Sequence, residues 1–131
     1  MQKSEIRILI VEDDATLAQA IETALQRAGY STEKSNSYQS AKAAFDLNSY
    51  HGMVVDCMLP QKSGIDLVEE FNAEYKRNLV VIFTSGIFKE RAFANDAMRR
   101  TKARDFFFKP FDIGELVQQF DSAFASDIEV Y

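Results

Sequence analysis

Four short apolar runs in this 131-residue chain each end on residues with chemistry of their own. Ile8-Leu9-Ile10-Val11 runs into Glu12-Asp13-Asp14, and Met53-Val54-Val55 into Asp56. Leu79-Val80-Val81-Ile82-Phe83 runs into Thr84-Ser85-Gly86, and Phe106-Phe107-Phe108 into Lys109-Pro110. An apolar run that stops at a polar residue reads as a buried parallel strand opening onto solvent at its carboxyl end. Ligands of an open α/β sheet sit in the crevice beyond those ends, so the four runs deliver acids, an acid, hydroxyls and an amine to one edge.

Three carboxylates brought together there repel one another, and a hard divalent cation is the usual remedy. Oxygen donors with open water positions suit Mg²⁺ or Mn²⁺, and with no Cys or His cluster nearby zinc does not fit. Asp56 serves either as a ligand alone or as a nucleophile that attacks phosphorus to form an aspartyl phosphate. In the second case Thr84 offers a hydroxyl and Lys109 an ammonium to the phosphoryl oxygens. Each residue alone has an ordinary reading. An acid after a strand caps the next helix, which is the reading for Asp14; a Lys before a Pro lies at the surface; Phe106 beside Phe107 and Phe108 packs a core. Their succession at strand ends is what points to chemistry.

The elements that must position these residues follow from periodicity. A strand over 6–11 leads, through Asp14 or Ala15-Thr16, into a helix with Leu17, Ala18, Ile21, Leu25 and Ala28 on one face and Gly29 as its stop. Tyr30 to Lys34 reads as a weak edge strand. Ser37 or Ser40 opens a helix through Ala41, Ala44, Phe45 and Leu47, and the strand 52–56 follows. After the loop Gln61-Lys62-Ser63-Gly64 comes a helix with Ile65, Leu67, Val68, Phe71 and Tyr75 inward, then an interior strand over 79–83. The polar segment 88–100 reads as the least firmly held helix, anchored by Phe93, Ala94, Ala97 and Met98. A strand over 104–108 and a helix capped by Asp112, with Leu116, Val117, Phe120 and Phe124, complete the pattern. Five alternations imply a parallel sheet with helices on both faces, a three-layer α/β/α doubly wound fold, and right-handed crossovers favour strand order 2-1-3-4-5.

The length is that of one domain over 1–131, with a core over 6–125 and a tail over 126–131. The single cysteine, Cys57, cannot close an internal disulfide, and Met1-Gln2-Lys3-Ser4 lacks the apolar segment of a signal peptide, so a cytoplasmic protein is expected. No apolar run approaches the ~20 residues of a membrane span. A net charge of −5 argues against direct binding to nucleic acid or anionic lipid. Strand alternation turns Cys57 away from Asp56, which makes it a core thiol rather than a redox sensor. His51, the one histidine, has no second phosphoacceptor near it and is expected in a surface role.

Glu12-Asp13-Asp14 after Ile-Leu-Ile-Val, Val55-Asp56-Cys57-Met58-Leu59-Pro60 with Gly64, Phe83-Thr84-Ser85, and Lys109-Pro110-Phe111 together resemble bacterial two-component response-regulator receiver domains, of flavodoxin-like fold. The resemblance covers residues 6–125, with all five signature positions in order. It implies that Asp56 accepts phosphoryl from the phosphohistidine of a sensor histidine kinase or phosphotransfer protein. Asp13 would ligate Mg²⁺, with Glu12 helping through water and the Met58 carbonyl as a further ligand. Thr84 would be the switch hydroxyl, Phe106 the switch aromatic, and Lys109 the partner of the phosphoryl group. The added charge of ~1.5–2 draws Thr84 and Lys109 inward and leaves room that Phe106 can fill. This repacks the 88–125 face for an output domain, a downstream protein or a phosphorylation-linked dimer. The chain departs from the family at Lys102, where members often carry glycine. Met58 and Gly86 flank the path of a hydrolytic water and cannot orient it, so slow self-dephosphorylation is expected.

Other readings compete. A phosphatase of the haloacid-dehalogenase type needs a second acid two residues after its nucleophile, where this chain has Met58. A flavodoxin-like cofactor module would have its phosphate repelled by Glu12-Asp13-Asp14. An interaction module of the same fold that no longer uses phosphate remains, against which the intact acid, Thr and Lys set argues. The family is not one of enzymes, and the six residues after 125 fit both a stand-alone regulator and a piece of a longer one.

Overall fold

In a computed structural model, which describes residues 1–75, 78–86 and 90–128, the expected alternation is present. Strands β1 (Arg7–Val11), β2 (Ser31–Ser35), β3 (Gly52–Asp56), β4 (Val80–Ser85) and β5 (Asp105–Phe108) alternate with helices α1 (Ala15–Arg27), α2 (Tyr38–Leu47), α3 (Gly64–Tyr75), α4 (Arg91–Thr101) and α5 (Ile113–Ala123). A short 3-10 turn, Lys3–Glu5, precedes β1 and was not expected from the sequence. The five strands are parallel and lie in the order β2-β1-β3-β4-β5.

Strand alternation divides the interior into two apolar layers. Leu9, Val11, Met53, Val55, Val81, Phe83 and Phe106 point to the side covered by α2, α3 and α4, where they meet Ala41, Phe45, Phe71 and Ala94. Ile8, Ile10, Val54 and Ile82 point the other way, onto Ile21 and Leu25 of α1 and Leu116 and Phe120 of α5. Central strands buried on both faces must be apolar, and β3, buried throughout, is so up to its last residue, Asp56. The weak strand β2 is at the edge, as its polar content demands.

Local sequence sets the element ends. Asp14 caps α1, its carboxylate accepting from the Thr16 and Leu17 amides at 3.0 and 3.1 Å. Ser37, rather than Ser40, caps α2, and Asp112 caps α5. Gly29, which stops α1, has φ +109°, a conformation open to glycine at little cost. Helix α4 starts later than expected, at Arg91; residues 88 and 89 of the expected helix lie outside the described residues. Its fully buried residues are small, Ala94, Ala97 and Thr101, in keeping with a lightly held helix. It ends at Lys102 with φ 60° and ψ 30°, the left-handed turn at which glycine is absent from this chain.

Strand β4 runs two residues further than its apolar run, through Thr84 and Ser85. Hydroxyl residues read as a strand's exit, but here they pair in register with Phe107 and Phe108 of β5, and that pairing carries the ladder on.

Candidate functional site

The register of the sheet assembles the strand ends. Val11 is paired with Val55, so the next residues, Glu12 and Asp56, emerge from neighbouring strands at the same level. Asp56 is paired with Thr84 on the other side. Ser85 is paired with Phe108, and the Lys109 amide donates to the Ser85 carbonyl at 2.8 Å, which brings Lys109 to the same edge. Acid, acid, hydroxyl and amine therefore converge as the sequence led us to expect.

Lys109 stands at the centre. Its Nζ donates to Oε1 of Glu12 and to Oδ2 of Asp56, each at 2.8 Å. The remaining oxygens accept main-chain donors. Oδ1 of Asp56 takes the Met58 amide at 2.9 Å, and Oε2 of Glu12 takes the Asp14 amide at 3.1 Å. Glu12 and Asp56 are buried and Asp13 is exposed at the mouth. Burial pushes the Glu12 carboxyl up to about 7, although the Lys109 ammonium and the Asp14 amide pull it down. Burial works on Lys109 in the opposite sense, but the two carboxylates outweigh it and hold the ammonium above its ordinary value.

Carboxylate oxygens of Glu12, Asp13 and Asp56 lie within 4.8 Å of one another. An all-oxygen donor set of this charge, open on the Asp13 side, fits a hard divalent cation and not a thiophilic one. The hydroxyl of Thr84 adds a second sign of a ligand site. It is fully buried, and its Oγ1 has no hydrogen-bond partner among the described residues. A buried hydroxyl left unbonded costs about 1–3 kcal/mol, so its retention needs a reason.

Glycine at 64 is required by the site's construction. A Cβ there would stand 2.1 Å from the Asp56 carbonyl oxygen and 2.8 Å from the Val55 side chain, so the start of α3 presses directly on the strand end that carries Asp56. The adjacent Cys57 is buried in the α2–α3–α4 layer, and burial together with the Asp56 charge pushes its thiol up to about 12, as a core thiol requires. His51 departs from its expected surface role. It is half-buried and its Nδ1 accepts the Arg7 amide at 3.0 Å, tying the start of β1 to the residue before β3. No local pattern announces such a bond, since its partners lie far apart in the chain.

Phe106 lies inside the protein, 3% exposed, with ring centroids of Phe83 and Phe93 at 6.0 Å and of Phe108 at 5.4 Å. The ring does not wait in solvent for room to open. Any rearrangement that involves it takes place within this four-ring cluster.

A family model described as the response regulator receiver domain matches residues 8–121. The chain belongs to that family. Among curated proteins, the transcriptional regulatory protein RprY of Bacteroides fragilis (strain YCH46) is 33% identical over 114 residues, which are 86% of this chain and 46% of that protein. The transcriptional regulatory protein QseB of Escherichia coli O157:H7 is 28% identical over 123 residues, 89% of this chain and 52% of that one. The receiver thus spans about half the length of the curated relatives it matches. Among solved structures, the receiver domain of the Francisella response regulator 1452 superposes with a TM-score of 0.84 over 93% of this chain and 98% of that one, at 24% identity, a likeness of fold. Receiver domains are signalling modules of two-component systems, and the acidic cluster of this one is suited to Mg²⁺. Among the described residues no helix is long and apolar enough to cross a membrane.

Proposed function

We propose that Asp56 is the phosphoacceptor of this receiver domain and that residues 1–131 act as one cytoplasmic domain. The observation that carries the reading is the Asp56 carboxylate held at 2.8 Å by Lys109, beside a buried Thr84 hydroxyl that has no partner among the described residues. In the transfer, an oxygen of Asp56 attacks the phosphorus of a phosphohistidine on a sensor kinase or phosphotransfer protein. The phosphorus–nitrogen bond breaks and the imidazole leaves with its electron pair. Glu12, Asp13, Asp56 and the Met58 carbonyl would hold Mg²⁺, or Mn²⁺ in its place, which would supply positive charge to offset the incoming phosphoryl oxygens.

Lys109 exchanges its carboxylate bonds for one to the phosphoryl group, and Thr84 donates its free hydroxyl to another phosphoryl oxygen. Thr84 lies on β4 against β5, so its shift bears on the Phe83, Phe93, Phe106 and Phe108 cluster and through it on α4, β5 and α5. That face, the described part of the 88–125 surface, would present itself to an output domain, a downstream protein or a second copy. The domain is a substrate of its kinase rather than an enzyme, apart from taking part in its own phosphoryl gain and loss.

Intact mass after incubation with Mg²⁺ and acetyl phosphate tests this. One phosphoryl adduct is expected, absent with a chelator and absent in Asp56→Ala. A folded wild-type chain that takes no adduct would instead make it a phosphate-independent interaction module.

A further inference from the structure

We propose that Tyr38, reaching from α2, is a positioning residue for cation binding at the acidic site, acting through Lys62 on the loop between β3 and α3. The inference rests on the reading above, in which that loop supplies the Met58 carbonyl.

The loop, residues 57–63, is fixed at its two ends by main-chain bonds. The Cys57 amide donates to the Thr84 carbonyl at 2.9 Å, and the Gly64 amide to the Cys57 carbonyl at 3.0 Å. Its tip is a tight turn in which the Lys62 amide donates to the Pro60 carbonyl at 2.9 Å and Gln61 has φ 74°. That conformation is disfavoured for any residue with a Cβ, so the tip keeps its shape because its surroundings hold it.

Lys62, the one charged residue of the loop, does the holding. Its Nζ lies 2.6 Å from Oε2 of Glu70 on α3 and 4.7 Å from the centroid of the Tyr38 ring. The Tyr38 hydroxyl donates to the other oxygen of the same carboxylate, Oε1, at 2.5 Å. An exposed ion pair alone would fix little. Here the carboxylate is bonded on both oxygens and the ammonium meets both the carboxylate and the ring, which restricts Lys62 more than an ion pair alone would. Met58, whose amide is bonded to Asp56, sits between the fixed Cys57 and the clamped tip, and Leu59 beside it is buried in the core, so Lys62 acts together with Leu59 in setting the Met58 carbonyl.

A related arrangement further along the same helix seam, in which the lysine, Lys42, makes its close bond to Glu74 at 2.8 Å, provides the control. The Tyr75 hydroxyl donates to Asp46 at 2.7 Å, and Lys42 lies 5.5 Å from the Tyr75 ring centroid and 3.9 Å from the same carboxylate. It joins α2 to α3 with tyrosine, lysine and two carboxylates, yet all of its residues are on the helices and none is on the loop.

The test measures Mn²⁺ binding to the full chain by electron paramagnetic resonance, with melting temperature read alongside. Tyr38→Phe and Lys62→Met should weaken binding roughly 3- to 10-fold, less than the 10- to 100-fold typical of groups bonded directly to a metal ligand. Lys62→Arg should restore much of the loss, and Tyr75→Phe should bind as wild type. Unchanged binding in Tyr38→Phe, or an equal loss in Tyr75→Phe, would overturn the positioning role while leaving the acidic site intact. A wild-type chain that binds no Mn²⁺ would overturn the reading of the site and this inference with it.

Discussion

Asp56 and Thr84 stand opposite one another in the β3–β4 register, and while both oxygens of the carboxylate are bonded, the buried Thr84 hydroxyl has no partner among the described residues. The pair is asymmetric in a way that suits a phosphoryl group, which brings acceptors and no donors. Thr84→Val keeps the branched shape and removes the unbonded hydroxyl. It should raise stability to urea by about 1 kcal/mol. The same variant should still take phosphoryl on Asp56 but lose the change in hydrogen exchange over 91–123 that follows in the wild type.

At Gly64 the argument is steric. A Cβ 2.1 Å from the Asp56 carbonyl oxygen meets main chain that cannot yield as a side chain would. Gly64→Ala should lower stability by about 3 kcal/mol, at the upper end of overpacking costs. Urea denaturation measures this, and a loss below about 0.5 kcal/mol would mean that the start of α3 can retreat.

Hydrolysis of an acyl phosphate on Asp56 would need a water in line with phosphorus, and by the family resemblance the residues flanking that path would be Met58, which is exposed, and Gly86. Neither side chain can orient water, so the phosphorylated domain should persist well beyond seconds. Met58→Asn adds an amide that can hold the water. One such bond worth about 1.4 kcal/mol in the transition state shortens the lifetime about tenfold. The decay of the phosphoryl adduct by mass, in both proteins, checks the sign and the size.

Lys102 ends α4 in the left-handed region, where a side chain with a Cβ is strained. Lys102→Gly should therefore stabilise the chain by about 1 kcal/mol, whereas Lys102→Ala should not. Thermal unfolding of the two variants side by side separates backbone relief from loss of the lysine charge.

How much of this was legible depends on how far apart the interacting residues are. The order of strands and the meeting of Glu12, Asp56, Thr84 and Lys109 follow from runs of three to five residues and from the topology that parallel strands impose. The caps at Asp14, Ser37 and Asp112 are equally local. Contacts between side chains distant in sequence leave no such trace. Lys109 bridging both acids, His51 holding Arg7, and Tyr38 bonded to Glu70 each depend on the finished fold. The extension of β4 through Thr84 and Ser85 was hidden for another reason, since polarity argued for a loop and only the partner strand overrode it.

The two 2.8 Å bonds of Lys109 make the resting site an ion pair that already has its cation, covalently attached. Loading the site is then an exchange of ions rather than the filling of a gap. A divalent ion would compete for the same carboxylates with an ammonium that cannot diffuse away, so the affinity it shows would be lower than that of a bare acidic cradle. On the proposed reading, the tethered ammonium would balance the charge of the acidic cradle and would pass to the phosphoryl group when that group arrives.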